Sequence, residues 1–275
     1  MRYGGFRSPV RTVLVMLTQD DRRAAADLLY TAELERAPMA PLTEAFPAID
    51  AVDAYEIQLL NITRKLDAGA VIHGHKVGLS SEAMQRMMGV DEPDYGHLLD
   101  DMALRQDVPV EIARYCYPRV EVEVGFVLGK DLPGEDCTEE DVLEATERVV
   151  PSLELIDSRI RDWKIKLADT IADNASSAGY VIGEGVSPAG LDLKNIDATL
   201  TCDGEFVVSG RSDAVLGNPV TAVAWLARKV ASFGVRLNAG HVILPGSCTR
   251  AIDVAAGQTF TAEFTGLGSV SLTFQ

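Results

Sequence analysis

The chain reads as an α+β protein, a small helical N-terminal region followed by a mixed, mostly antiparallel β domain. Three observations predict this. Up to residue 68, apolar residues recur at helical spacing behind capping residues. Beyond residue 107, short apolar runs alternate with turn-forming residues. Among those runs, Arg119-Val-Glu-Val-Glu-Val-Gly-Phe-Val-Leu128 shows the two-residue alternation of a strand. With 275 residues the chain can bury a large core.

The elements follow in order. Residues 1–15 lack the full apolar stretch and small-residue cleavage site of a signal peptide, so they read as a non-essential extension. Thr18 is placed to cap a first helix, in which Ala24, Leu28, Leu29 and Ala32 recur. A Pro-containing loop over 38–47 leads to a second helical pattern from Asp53 to Ile62. Ala70 to Leu79 is an apolar strand holding one lysine, Lys76. Ser80 is placed to cap a short helix ending at Gly89, and Val90 to Gly96 reads as a turn-rich loop. Strands are predicted over 108–115, 119–128, 152–157, 179–183, 197–208, 241–244, 259–264 and 268–274. Two helices interrupt them: one opened by Thr138-x-x-Asp141 and closed before Pro151, the other running from Asn218 or Pro219 to about Phe233. The predicted division is an extension over 1–15, an α-rich region over 16–100 carrying the Lys76 strand, and a β-rich metal-binding catalytic domain over 101–275.

Composition narrows the function. A net charge of −16 and a pI near 4.6 argue against nucleic acid or an anionic membrane as partner. They also mean that any small anionic substrate needs local cations at its site. Cys116, Cys137, Cys202 and Cys248 form no C-x-x-C pair, which predicts free thiols in a reducing cytoplasm. His73 and His75 are close in sequence, but no third ligand stands near them to complete a metal site. No apolar stretch has the length of a membrane span.

The chemistry concentrates in carboxylates. Glu121 and Glu123 point to one face of their strand, while Val120, Val122 and Val124 fill the other. On the glutamate side the strand then runs into Gly125 and Val127, so the acidic patch enters apolar surroundings. Two carboxylates in such a place need compensation, and an oxygen-liganded divalent cation is the simplest form of it. An edge strand with one wet face is the other reading, and the segment alone does not separate them. Glu154, amid Leu153, Leu155 and Ile156, is a third carboxylate that needs a partner. It reads either as a further cation ligand or as half of a salt bridge to Arg119 or Arg159. Taken alone, Lys76 reads as a snorkelling lysine, Asp94 as a turn former and Ser176 as a loop serine.

Several separated motifs nevertheless form one pattern: Lys76-Val-Gly-Leu-Ser, Gly89-Val-Asp-Glu-Pro-Asp-Tyr-Gly, Pro118-Arg-Val-Glu-Val-Glu, Ser158-Arg-Ile-Arg-Asp-Trp and Ala172-Asp-Asn-Ala-Ser. Gly217-Asn-Pro, Trp225-Leu-Ala-Arg-Lys and Gly266-Leu-Gly-Ser-Val extend it. Together they resemble the 2-keto-4-pentenoate (2-hydroxypenta-2,4-dienoate) hydratases of the fumarylacetoacetate-hydrolase superfamily, over about residues 16–275. The resemblance looks closest to actinobacterial steroid-degradation hydratases acting on a 2-hydroxyhexa-2,4-dienoate.

The resemblance implies a β-roll or barrel domain and a Mg²⁺ or Mn²⁺ ion on Glu121, Glu123 and Glu154 that chelates the substrate. It implies that a small anionic 2-hydroxydienoate ketonises and then takes up water at C4, giving a 4-hydroxy-2-oxoacid. Lys76 and Asp94 would move protons, with the Lys76 pKa lowered by desolvation, and the Ser176 hydroxyl would lie near the substrate. The loop Gly246-Ser-Cys-Thr249 is a candidate for binding the substrate carboxylate, and Arg159, Arg161 and Trp163 are read as structural or oligomer contacts. A cytoplasmic homo-oligomer, up to a decamer and in possible contact with the downstream aldolase, completes the picture. The competing readings are a 2-oxo-3-hexenedioate decarboxylase of the same superfamily and a non-catalytic scaffold subunit of a pathway complex.

Overall fold

A computed structural model describes residues 16–275. The expectation about residues 1–15 lies outside the described residues. Helix α1 (Gln19–Glu35) starts at Thr18, whose hydroxyl accepts from Asp21 N–H while the Asp21 carboxylate accepts in return. Its buried face is Ala25, Ala26, Leu29 and Ala32, one step around from the predicted stripe, and Leu28 is exposed. After α2 (Leu42–Ala45), helix α3 (Ala51–Asp67) is capped by Asp50 and bound to α1 through Arg22 and the buried Asp53, 2.7 Å apart.

Strand β1 (Ile72–Gly78) carries Lys76, and α4 (Glu82–Met88) follows it. The cap of α4 is Ser81 rather than Ser80, because it is the Ser81 hydroxyl that accepts from Met84 N–H. Residues 94–96, expected in the 90–96 loop, instead open strand β2 (Asp94–Leu99), fully buried and antiparallel to β1. Two side chains from elsewhere finish its outer edge. The Asn174 amide accepts from His97 N–H at 2.7 Å and donates to His97 C=O at 2.9 Å. Gln58 donates to Tyr95 C=O and lies 3.0 Å from His97 Nδ1.

Residues 108–115, expected as a strand, form none. Pro109 interrupts the run, and only Val110 pairs, in an isolated bridge to Phe274. Strand β3 (Arg119–Leu128) matches its predicted bounds. Helix α5 (Glu139–Ala145) ends earlier than expected, and β4 (Thr146–Ile156) begins at once, taking Pro151 into the strand. Helix α6 (Leu167–Ala172), a turn at 174–176 and β5 (Ser177–Ile182) follow. The run 197–208 is a hairpin of β6 (Asp197–Cys202) and β7 (Glu205–Arg211), turning at Asp203-Gly204, both with positive φ. Helix α7 (Pro219–Ala231) is capped by Asn218, and β8 (Val242–Leu244), β9 (Ile252–Asp253), β10 (Thr259–Phe264) and β11 (Gly268–Thr273) close the chain.

The strands make two sheets. One runs β2-β1-β8-β3-β4-β5 with β9 also on β3, and the other runs β11-β10-β6-β7. Among the named strands of the described residues only the β1–β8 pair is parallel, so the β architecture is mixed and mostly antiparallel, as predicted. A common core of Val120, Val122, Phe126, Leu153, Leu155, Leu200 and Phe260 joins them. Burying each such side chain contributes about 1.5–3 kcal/mol.

Candidate active site and metal centre

Strand β3 is paired on both sides, to β4 on one and to β8 and β9 on the other, which excludes the wet edge strand. Its register with β4 sets Glu121 directly opposite Glu154. Like charges so placed repel. Glu123 and Glu154 are fully buried and Glu121 is partly buried, and one carboxylate oxygen from each lies within 4.8 Å of the others.

Glu123 and Glu154 each have one anchored side and one bare side. Glu123 Oε2 accepts from Gly246 N–H at 2.7 Å, while the buried Oε1 has no partner. Glu154 Oε1 accepts from the Ser177 hydroxyl at 2.8 Å. Its Oε2 lies 3.3 Å from Lys76 Nζ, at an angle that makes an ion pair without a hydrogen bond. Neither predicted partner reaches Glu154, since Arg119 pairs with Asp253 and Arg159 with Asp173. The triad thus offers converging, unsatisfied carboxylate oxygens to a hard divalent cation, and this donor chemistry fits one.

Electrostatics agree. Burial pushes Glu121 up to about 7, with Lys76 drawing it down and Glu154 adding repulsion. Burial, then repulsion from Glu154 and Glu121, holds Glu123 well above the ordinary range. Burial also raises Glu154, against the pull of Lys76 and Ser177. Without a cation the cluster favours protons.

Lys76 departs from expectation. Burial alone would lower its pKa, but Glu154, Glu121, Asp94 and Glu123 together outweigh burial and raise it. Its Nζ donates to Ala175 C=O at 3.1 Å. Asp94, 1% exposed, is pushed by burial up to about 6, against the pull of Lys76. Thr170 is near it, but neither Asp94 oxygen has a hydrogen bond of normal geometry.

Ser176 is buried, its hydroxyl 3.5 Å from that of Thr170. It ends a left-handed turn in which Asn174, Ala175 and Ser176 all have φ between 49° and 57°. Non-glycine residues occupy that region at a cost, and strained residues of this kind cluster at functional sites as well as at turns and helix caps. The turn aims Ala175 C=O at Lys76 and sets Ser177 against Glu154. All six predicted site residues therefore gather around the β1–β8–β3–β4 junction.

Sequence reasoning missed Ser177, Thr170, Asn174 and the role of Gly246. The loop 246–249, expected to bind a substrate carboxylate, holds a carboxylate of the protein itself. Gly246 N–H holds Glu123, and Ser247 Oγ lies 3.2 Å from Val122 N. The Ala172-Asp-Asn-Ala-Ser motif pointed to the right turn, one residue short of Ser177.

Comparison with known proteins accords with this geometry. The family model described as fumarylacetoacetate (FAA) hydrolase C-terminal matches residues 75–275. The chain is 44% identical over 260 residues to the 2-keto-4-pentenoate hydratase of Paraburkholderia xenovorans, covering 94% of this chain and 97% of that one. It is 42% identical to the 2-hydroxyhexa-2,4-dienoate hydratase of Comamonas testosteroni, covering 90% and 94%. The solved 4-oxalocrotonate decarboxylase from Pseudomonas putida, complexed with magnesium and adipate, superposes with a TM-score of 0.90 at 36% identity, covering 94% and 99%. With a match of this extent and relatives of this similarity along nearly the whole chain, the protein belongs to the fumarylacetoacetate hydrolase family.

Proposed function

We propose that the protein is a divalent-metal-dependent hydratase that adds water to a 2-hydroxy-2,4-dienoate, by way of the 2-oxo-3-enoate, to give a 4-hydroxy-2-oxoacid in the breakdown of aromatic or steroid rings. The observation that carries this reading is the converging glutamate triad, with bare oxygens on Glu123 and Glu154, beside Lys76 and Asp94. Glu121, Glu123 and Glu154 would hold the cation, Mg²⁺ or Mn²⁺, which when bound supplies positive charge and Lewis acidity toward the substrate's carboxylate and 2-oxygen.

The chain's own residues move the protons. Ketonisation takes one proton from the 2-hydroxyl and delivers one to C5. Hydration takes one from water, whose oxygen bonds to C4, and delivers one to C3. Neither step changes the proton count, so a carrier that cycles is sufficient. Asp94, with its pKa raised toward neutrality, is suited to accept and return a proton. The Lys76 ammonium keeps a positive charge at Glu154 and supplies N–H donors in a buried place. The Ser176 hydroxyl is held in place to donate to a substrate oxygen.

Hydration is favoured over decarboxylation by the hydratase relatives, and the pairing of two arginines supports it. A dicarboxylate needs a positive group at its far end, and Arg119 and Arg159 are both already committed to aspartates. The same reading includes a homo-oligomer in a reducing cytoplasm, supported by four free cysteines and by the resemblance, with the downstream aldolase as a neighbour. Among the described residues, no helix is long and apolar enough to cross a membrane.

The test is loss of dienoate absorbance by purified protein, with five- and six-carbon substrates, before and after chelation, followed by product identification. The expected product is the 4-hydroxy-2-oxoacid, formed without a partner protein. CO₂ release from 2-oxo-3-hexenedioate with no hydration of the monoacid would assign the decarboxylase instead, and no turnover in any arm would assign the scaffold.

A further inference from the structure

Strand β1 carries Lys76 and, two residues on, Gly78, which faces Asp94 across the β1–β2 pair. Residues two apart share a face of the strand, so the space above Gly78 lies between Lys76 and Asp94. A Cβ added at Gly78 would stand 2.2 Å from Asp94 Oδ1, 3.3 Å from Asp94 Cγ and 3.5 Å from Lys76 Nζ. The Asp94 carboxylate therefore occupies the volume that any side chain at position 78 would need. Gly78 has no positive φ, so its backbone conformation is open to alanine. What the position excludes is the Cβ itself.

Asp94 also lacks the usual means of being held. Both its oxygens are buried and have no hydrogen-bond partner of normal geometry, so packing sets where the carboxylate lies. From this juxtaposition we propose that Gly78 is a positioning residue, its bare Cα being what allows the Asp94 carboxylate to lie across β1 beside the Lys76 ammonium. The inference rests on the reading of Asp94 as a proton carrier. It assigns Gly78 no contact with substrate and no part in holding the cation.

The consequence is a selective defect. In Gly78→Ala the clash falls on the end of a movable side chain, so Asp94 swings aside while the sheet keeps its pairing. Turnover is expected to fall by about 10²-fold, the scale of a misplaced catalytic group. KM and Mg²⁺ affinity measured by calorimetry should stay within about twofold of wild type. The deciding measurement is a double-mutant cycle with Asp94→Asn. If Gly78 acts through Asp94, adding Gly78→Ala to Asp94→Asn changes turnover by no more than about twofold.

Full activity of Gly78→Ala would overturn the inference, as would an undiminished penalty in the Asp94→Asn background or a parallel loss of Mg²⁺ affinity. A fully active Asp94→Asn would overturn the proton-carrier reading itself, and the inference with it. If Gly78→Ala melts early, Gly78→Ala/Asp94→Ala removes the group the methyl would strike. Recovery of its melting temperature supports the proposal, and no recovery overturns it.

Discussion

Glu123 has one oxygen held by Gly246 N–H and one held by nothing, and this asymmetry decides what its replacement does. Glu123→Gln keeps nearly the same volume but removes a charge from a cluster that repels itself. Cation affinity and turnover should fall together, while the melting temperature of the cation-free protein stays level or rises. Calorimetric titration beside thermal melts checks both. Glu154→Gln differs, because Glu154 is the charge facing Lys76. Its cation-free form should melt lower than that of Glu123→Gln, since it leaves the buried ammonium with one fewer counter-charge. Lys76→Ala should lower turnover by roughly 10²–10⁴-fold without weakening Mg²⁺ binding. The identity of these residues was legible in the sequence, in the Glu-Val-Glu alternation and in a carboxylate among leucines. The rise in the Lys76 pKa was not. It depends on four carboxylates brought in from β2, β3 and β4, and no local pattern around residue 76 encodes their arrival.

Among the elements, β3 was readable end to end because its pattern is local, and the starts of α5 and α7 because their caps are. Strand β2 was hidden. Asp91-Glu-Pro-Asp-Tyr-Gly has the composition of a turn, and the groups that finish the strand's edge are Asn174 and Gln58, distant in sequence. The run 108–115 erred the other way, its alternating apolar residues implying a pairing that Pro109 and the course of β11 do not provide. The β1–β2 pair also carries a testable pH response. The His75 and His97 rings lie tilted at 54° with centroids 4.7 Å apart, and His75 has no hydrogen-bond partner at either nitrogen. Burial pushes His97 down to about 4 and His75 well below its ordinary value. A depressed histidine contributes stability above its unfolded pKa and loses it as pH falls through the window down to the folded one. The stability advantage of wild type over His97→Gln should therefore shrink between about pH 6.5 and 4, as read by paired melts.

For the molecule as a whole, the buried carboxylates work in the opposite sense. Asp94 and Asp173 at about 6 and Glu121 at about 7 bind protons in the folded state that the unfolded chain has released. Raised groups of this kind stabilise the cation-free fold at low pH, and that contribution is lost as pH climbs through about 4 to 7. A cation needs the deprotonated glutamates, so its stabilisation grows over the same range. The rise in melting temperature on adding Mg²⁺ should be larger at pH 8 than at pH 5.5, and small at both in Glu123→Gln. The left-handed turn at Asn174, Ala175 and Ser176 bears on stability differently. Ala175 in that conformation costs about 1–2 kcal/mol that glycine would not, against about 0.5–1 kcal/mol of chain entropy that glycine would add. Ala175→Gly should leave the melting temperature level or slightly higher while lowering turnover, because the carbonyl that receives the Lys76 proton donor becomes free to wander. A directed-evolution screen that rewarded heat tolerance alone would then be drawn toward glycine at this turn. Its survivors would outlast the parent in the oven and lag behind it in the assay.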